Sequence, residues 1–150
     1  AFIEHDKCVG CGRCLGSCNY DAVKSPTDES NDILNKKIAE YSKAVLQGRP
    51  NFHINFVVDV SPNCDCHREN DLAIIPDVGI FASFDPVALD MACVDACNKQ
   101  NIIHGSYLDE KEHLCHDHFI NTHPETNWQV CIDHSVALNI GNKEYELIEV

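Results

Sequence analysis

The chain has 150 residues, 44% of them hydrophobic, so one domain, or one domain with a small appended module, can bury a core. Its net charge of −13 opposes binding to nucleic acid, and no basic stripe with interleaved aromatic residues is present. No segment reaches the roughly 18 consecutive apolar residues of a membrane span, and no basic region followed by an apolar run opens the chain. We therefore expect a soluble cytoplasmic protein that binds neither nucleic acid nor membrane.

The first feature in chain order is a run of cysteines with the spacing C-x2-C-x2-C-x3-C, formed by Cys8, Cys11, Cys14 and Cys18. This spacing is typical of a [4Fe-4S] cluster, because one loop brings several soft thiolate ligands to neighbouring iron atoms. Zinc is the alternative, but zinc sites usually pair two distant C-x2-C hooks. Ten cysteines could also form a disulfide framework, yet the regular spacing favours metal.

The chain contains a single run of this kind. In two-cluster ferredoxins the fourth cysteine of each run binds the other cluster, so the role of Cys18 depends on whether a second cluster exists. We expect Cys18 to bind the cluster of its own loop, unless the remaining cysteines build a second one.

A helix is predicted within residues 32–48, because Leu34, Ile38, Tyr41 and Val45 recur at helical spacing and Gly48 supplies a stop. This apolar face is expected to pack, with the lysines facing water. The next segment, FHINFVVDV, predicts a buried strand, and the short runs LAIIP and VGIFAS predict two more.

The second half of the chain predicts further helices. Asp85 as N-cap and Pro86 at the first helical position predict one helix start, and Thr122 with Glu125 fits a capping box between two later helices. The ending KEYELIEV alternates like a strand. The expected fold is α/β or α+β, with a small sheet, packed helices and an N-terminal ferredoxin-like cysteine loop. We expect the loop over residues 1–28 and the α/β domain over residues 29–150, as a fragment of a longer protein because the only methionine is Met91.

Four further cysteines are candidate metal ligands: Cys64, Cys66, Cys93 and Cys97. The first two flank one residue, and the last two share a helix face, so together they could bind a second iron–sulfur cluster or zinc. The alternative is that the two helix cysteines are small core residues. The histidine-rich stretch HLCHDHF is interpreted as a surface segment, and Cys131 as a core residue.

The stretch VSPNCDCHRENDLAIIPDVGIFASFDPVALDMACVD, with the cysteine run before it, resembles the C-terminal part of domain-of-unknown-function family 362. The resemblance covers residues 7–106 and the ending YELIEV. It implies iron–sulfur binding by the cysteine run, a recurrent pair at Cys64 and Cys66, and a larger region upstream.

Three functions are compatible with these features. The first is an electron-transfer module that serves a redox protein or an upstream domain of the same chain. The second is a metalloenzyme that uses an open cluster corner, or a second metal site with Asp65 or Asp59 as acid–base partner. The third is a structural role, in which a bound metal only stabilises the fold.

Overall fold

The computed structural model describes residues 3–8, 13–18, 20, 22–23, 31–64, 70–111 and 115–150. Within these residues, a 3-10 turn, His5–Lys7, precedes five α-helices and two β-strands. The helices are α1 (Arg13–Gly16), α2 (Asn31–Leu46), α3 (Pro86–Asn98), α4 (His118–Thr122) and α5 (Gln129–Ala137), and the strands are β1 (His53–Val57) and β2 (Gly79–Ser83). The mixed helix and strand class is confirmed. Among the helices of the described segments, none is long and apolar enough to cross a membrane.

The predicted helix after the cysteine run is confirmed as α2, and Gly48 follows its end in a left-handed conformation with φ of 71°. Its packing face was predicted wrongly. Ala39 is the buried residue of α2, and the helix lies against α5, where Asn35 Nδ2 donates to the carbonyl oxygen of Asn127 over 2.8 Å and Lys43 Nζ to that of Leu138. The predicted stripe of Leu34, Ile38, Tyr41 and Val45 is exposed instead.

The two strands form an antiparallel ribbon in which Ile54 pairs with Ala82 and Phe56 with Ile80. One face of the ribbon packs on α3, while the other is exposed, so the prediction of a fully buried first strand is wrong. VGIFAS forms β2, as predicted. LAIIP forms no strand. The backbone amide of Ile74 instead donates to the carbonyl oxygen of Val60, and the carbonyl oxygen of Ile74 accepts from the amide of Ile103.

Helix α3 begins as its sequence predicts. The Asp85 Oδ1 atom accepts hydrogen bonds from the backbone amides of Val87 and Ala88 over 2.9 and 3.0 Å, and Pro86 occupies the first turn. The inner side of this helix joins the core, which consists of Val57, Ile74, Ile75, Leu89, Cys93, Cys97 and Leu108. Helix α3 is therefore the element around which the ribbon and the loops assemble.

The C-terminal part contains two helices, as predicted, but their boundaries differ. Thr122 ends α4, where its hydroxyl donates to the carbonyl oxygen of His118 over 2.7 Å, so the predicted capping box with Glu125 is wrong. Helix α5 begins only at Gln129. The predicted terminal strand is also absent: residues 143–150 form no strand, although the Tyr145 hydroxyl donates to Asp95 Oδ2 over 2.7 Å.

Candidate metal centre

The N-terminal cysteine run is built on two short helical turns. The turn His5–Lys7 is closed by a 3.0 Å hydrogen bond from the Lys7 amide to the Glu4 carbonyl oxygen, and Cys8 follows it directly. Cys14 lies in α1, which ends with a 3.0 Å bond from the Ser17 amide to the Arg13 carbonyl oxygen. Cys8 and Cys14 thus each lie in or beside a short helical turn of the described residues.

Three of the four predicted cluster ligands lie in described positions. Cys8 and Cys14 are exposed and Cys18 is half-buried, while Cys11 lies outside the described residues. Two cationic side chains adjoin the run: Lys7, which pairs with Glu4 at 2.5 Å, and Arg13. Iron–sulfur clusters take thiolate sulfur as ligand, and the accessible side chains of Cys8 and Cys14 can reach one, so these residues fit such a cluster.

The two cysteines of α3 have a different environment. Cys93 and Cys97 are buried in the core with 8% and 4% of their surface exposed, and Asn55 Nδ2 contacts the Cys93 sulfur at 3.5 Å. Burial raises the pKa of both thiols, and that of Cys97 reaches about 11, with the neighbouring Cys93 adding to the shift. Both are therefore neutral thiols near pH 7, which is the behaviour of core residues.

The C-D-C loop is only partly described. Cys64 is exposed, whereas Asp65 and Cys66 lie outside the described residues. Across the parts of the chain whose positions are given, no three Cys, His, Asp or Glu side chains form a group that could hold a metal ion. A second metal site at Cys64, Cys66, Cys93 and Cys97 stays a prediction.

Sequence reasoning missed the residues that hold the ends of this loop together. Asn70 Nδ2 donates to Ser61 Oγ over 2.9 Å, and Asn70 Oδ1 accepts from the backbone amide of Asn63 over 3.3 Å. Asn70 therefore joins the entry and the exit of the loop and positions the backbone next to Cys64. The polar stretch around Asn63 and Asn70 could have indicated such local side-chain to backbone bonding.

Two histidines of the second half, His118 and His123, bind backbone oxygens. His118 Nε2 donates to the carbonyl oxygen of Gln100 over 3.0 Å, and His123 Nε2 to that of Pro62 over 2.7 Å. The latter bond connects the segment after α4 to the start of the C-D-C loop. Because these ring nitrogens are engaged, the two histidines act as packing residues, while His113 lies outside the described residues.

Cys131 is half-buried and lines a groove of about 710 Å³ together with the exposed apolar face of α2. Asp90 and His53 also line this groove. The Asp90 carboxylate accepts from Asn55 Nδ2 over 3.2 Å, and loss of hydration raises its pKa although its side chain still reaches water. Burial likewise raises the pKa of the Cys131 thiol. The groove thus combines apolar walls with a carboxyl group and an un-ionised thiol.

The fold and the cysteine arrangement define a small helix and strand protein with a cysteine-rich N-terminal turn. Residues 7–95 match a family described as "Domain of unknown function (DUF362)", so the chain belongs to that family. The family that the sequence resemblance indicated is therefore confirmed, while the match to the C-terminal part of that family stays a prediction. A search of curated proteins and a search of solved structures each found no match.

Proposed function

We propose that the chain binds one [4Fe-4S] cluster through Cys8, Cys11, Cys14 and Cys18 and transfers single electrons. The observation that carries this proposal is the C-x2-C-x2-C-x3-C run. Within it, the thiols of Cys8 and Cys14 are exposed. The electron partner is a redox protein or an upstream domain of the same polypeptide.

The contrast between the two sets of cysteines supports this assignment. The side chains of Cys8 and Cys14 meet solvent, where a cluster can reach them, whereas burial holds Cys93 and Cys97 as neutral thiols in the core. A cluster at the exposed run would lie near the protein surface, where an electron partner can approach it.

When bound, such a cluster supplies reversible one-electron redox chemistry. The chain's own residues hold it and adjust its charge environment. The α1 turn positions Cys14, and Arg13, the residue before it in the same turn, has an exposed side chain. Positive charge at that place favours the more negative, reduced state and so raises the reduction potential.

The test is a redox titration of the natural protein purified without oxygen, followed by absorbance and by electron paramagnetic resonance. We expect one electron per cluster to be taken up and released reversibly, with full recovery of the oxidised spectrum. Arg13→Gln should lower the midpoint potential, while Arg49→Gln, at an arginine that follows α2, should leave it unchanged. A cluster that no strong reductant can reduce would contradict electron transfer and leave a structural role.

A further inference from the structure

Residues 143–150, which we call the tail, lie beside the ribbon. The tail forms no strand in the structure, although its sequence KEYELIEV predicts one. Residues 145–150 line a groove of about 810 Å³ together with residues 78–83 and one side of α3. Among the described residues, no backbone hydrogen bond joins the tail to β2. The tail therefore lies along β2 without pairing with it.

The groove lies at the edge of β2 that faces away from β1. All six residues 78–83 line it, including those on both faces of the strand, and none of the described residues of β1 does. In the described part of the chain the sheet consists of β1 and β2 alone, so this edge of β2 has no partner strand. In an antiparallel ribbon every second backbone amide of a strand points away from the partner, and such an edge is open to pairing with a further strand.

Two hydrogen bonds fix the direction in which the tail runs. The Asn142 amide donates to Asp85 Oδ2 at the start of α3, and the Tyr145 hydroxyl donates to Asp95 Oδ2 near its end. The tail therefore follows the direction of α3. Strand β2 runs the opposite way, because only two residues separate it from α3 and the two elements pack together. The tail and β2 are thus antiparallel, which is the more stable orientation of a strand pair.

The groove has room for an apolar side chain of the tail. Leu147 is 55% exposed. Across the groove, α3 presents three small side chains spaced one turn apart, Ala88, Ala92 and Ala96. Because alternate side chains of a strand share a face, Leu147 in a paired tail lies on the same side as Tyr145, towards these alanines. Pairing therefore removes the Leu147 side chain from water, which is favourable.

From these observations we propose that the tail is a strap that closes onto β2 as a third, antiparallel strand and buries Leu147 against α3. The structure holds the open state. Closure occupies the backbone groups at the edge of β2, so the strap controls whether this edge is available to another strand. The strap is distinct from the cysteine run, and its closure does not depend on a bound cluster.

The test measures hydrogen exchange of the backbone amides of residues 79–83, one by one, in the natural full-length protein and in Leu147→Asn. The substitution removes the apolar side chain that closure buries, so the open state gains population. We expect the amides that face away from β1 to exchange at least about threefold faster in this variant. The matched control is Leu34→Asn on α2, because Leu34 is also 55% exposed, and it should leave these rates unchanged.

A second measurement locates the strap in the natural protein itself, so it does not rely on the folding of a variant. Nuclear Overhauser contacts should join the backbone α-protons of residues 145–149 to those of residues 79–83 in antiparallel order. No contacts between the tail and β2, or contacts in parallel order, would overturn the proposal. Equal exchange rates in the natural protein and Leu147→Asn, or equal effects of the substitutions at Leu147 and Leu34, would overturn it as well.

Discussion

The Oδ2 atom of Asp85 accepts a hydrogen bond from the backbone amide of Asn142 over 2.9 Å. The other carboxylate oxygen of Asp85 caps α3 through the amides of Val87 and Ala88. One side chain therefore holds both the start of α3 and the segment after α5, which is 57 residues further along the chain. The contact is close: a Cβ atom at Gly141 would lie only 1.9 Å from Asp85 Oδ1.

Gly141→Ala is the first prediction. The added methyl group overlaps the Asp85 carboxylate, so either the cap or the C-terminal segment must move. We expect the free energy of unfolding to fall by about 1 to 3 kcal/mol, the range of strain and lost caps. Urea unfolding followed by circular dichroism measures the change.

The control for Gly141→Ala is the same substitution in an Asp85→Ala background. Without the carboxylate the overlap disappears, so the cost of the glycine substitution should fall below about 0.5 kcal/mol. An equal cost in both backgrounds would mean that Asp85 is not the residue that requires glycine at this position.

A second prediction concerns Asp117. Its Oδ1 atom accepts from the amides of Phe119 and Ile120 over 2.9 and 3.1 Å, and its Oδ2 atom accepts from the indole Nε1 of Trp128 over 2.9 Å. Asp117→Ala removes all three bonds and should cost about 2 to 3 kcal/mol. Because Trp128 is the only tryptophan, its fluorescence should also report the altered environment.

The matched variant Asp117→Asn keeps an oxygen that can cap α4 but loses the acceptor for Trp128. We expect it to cost about 1 kcal/mol, less than half of the loss in the alanine variant. If the two variants are equally destabilised, the helix cap contributes nothing measurable and the indole bond carries the whole effect.

The third prediction concerns the dependence of stability on pH. An unfolded cysteine ionises near its ordinary pKa of 9.0, whereas burial raises the pKa of Cys97 to about 11 in the folded chain. The protonated thiol therefore contributes fully to the free energy of unfolding below pH 9, and this contribution is lost as the pH rises through about 11. The full size of this contribution to the free energy of unfolding is about 3 kcal/mol, from about 1.4 kcal/mol for each pKa unit.

The test measures the free energy of unfolding of the natural chain and of Cys97→Ala at several pH values between 8 and about 11. All other titrating groups are the same in both proteins, so the difference reports Cys97. The difference between the two proteins should shrink as the pH rises. A difference that stays constant would show that the pKa of Cys97 is not raised, and a difference that grows up to about pH 9 is what a thiolate bound to metal in the folded chain would give.

The sequence predicts α3 and most of α2 correctly, because the residues that mark where these helices begin or end act on the neighbouring backbone. Asp85 and Pro86 mark a helix start by backbone chemistry alone, and Gly48 marks a helix end by its left-handed conformation. The identity of the cluster ligands rests on spacing along one loop, which is also a local property.

The failed predictions depend on distant partners. The apolar stripe of α2 is exposed because α5 packs on the neighbouring face, through contacts such as that between Glu40 and His134, which are 94 residues apart. The capping box at Thr122 fails because its hydroxyl bonds back to His118 within α4. The helical spacing of apolar residues identifies a helix, but it does not identify which face finds a partner.

The central claim is tested most directly by counting iron, acid-labile sulfide and zinc per chain in protein purified without oxygen. We predict about four iron and four sulfide, with loss of both in Cys14→Ser and no loss in Cys115→Ser, where another exposed thiol is replaced. Zinc in place of iron, or a full complement of iron in Cys14→Ser, would contradict a [4Fe-4S] cluster bound by the N-terminal run.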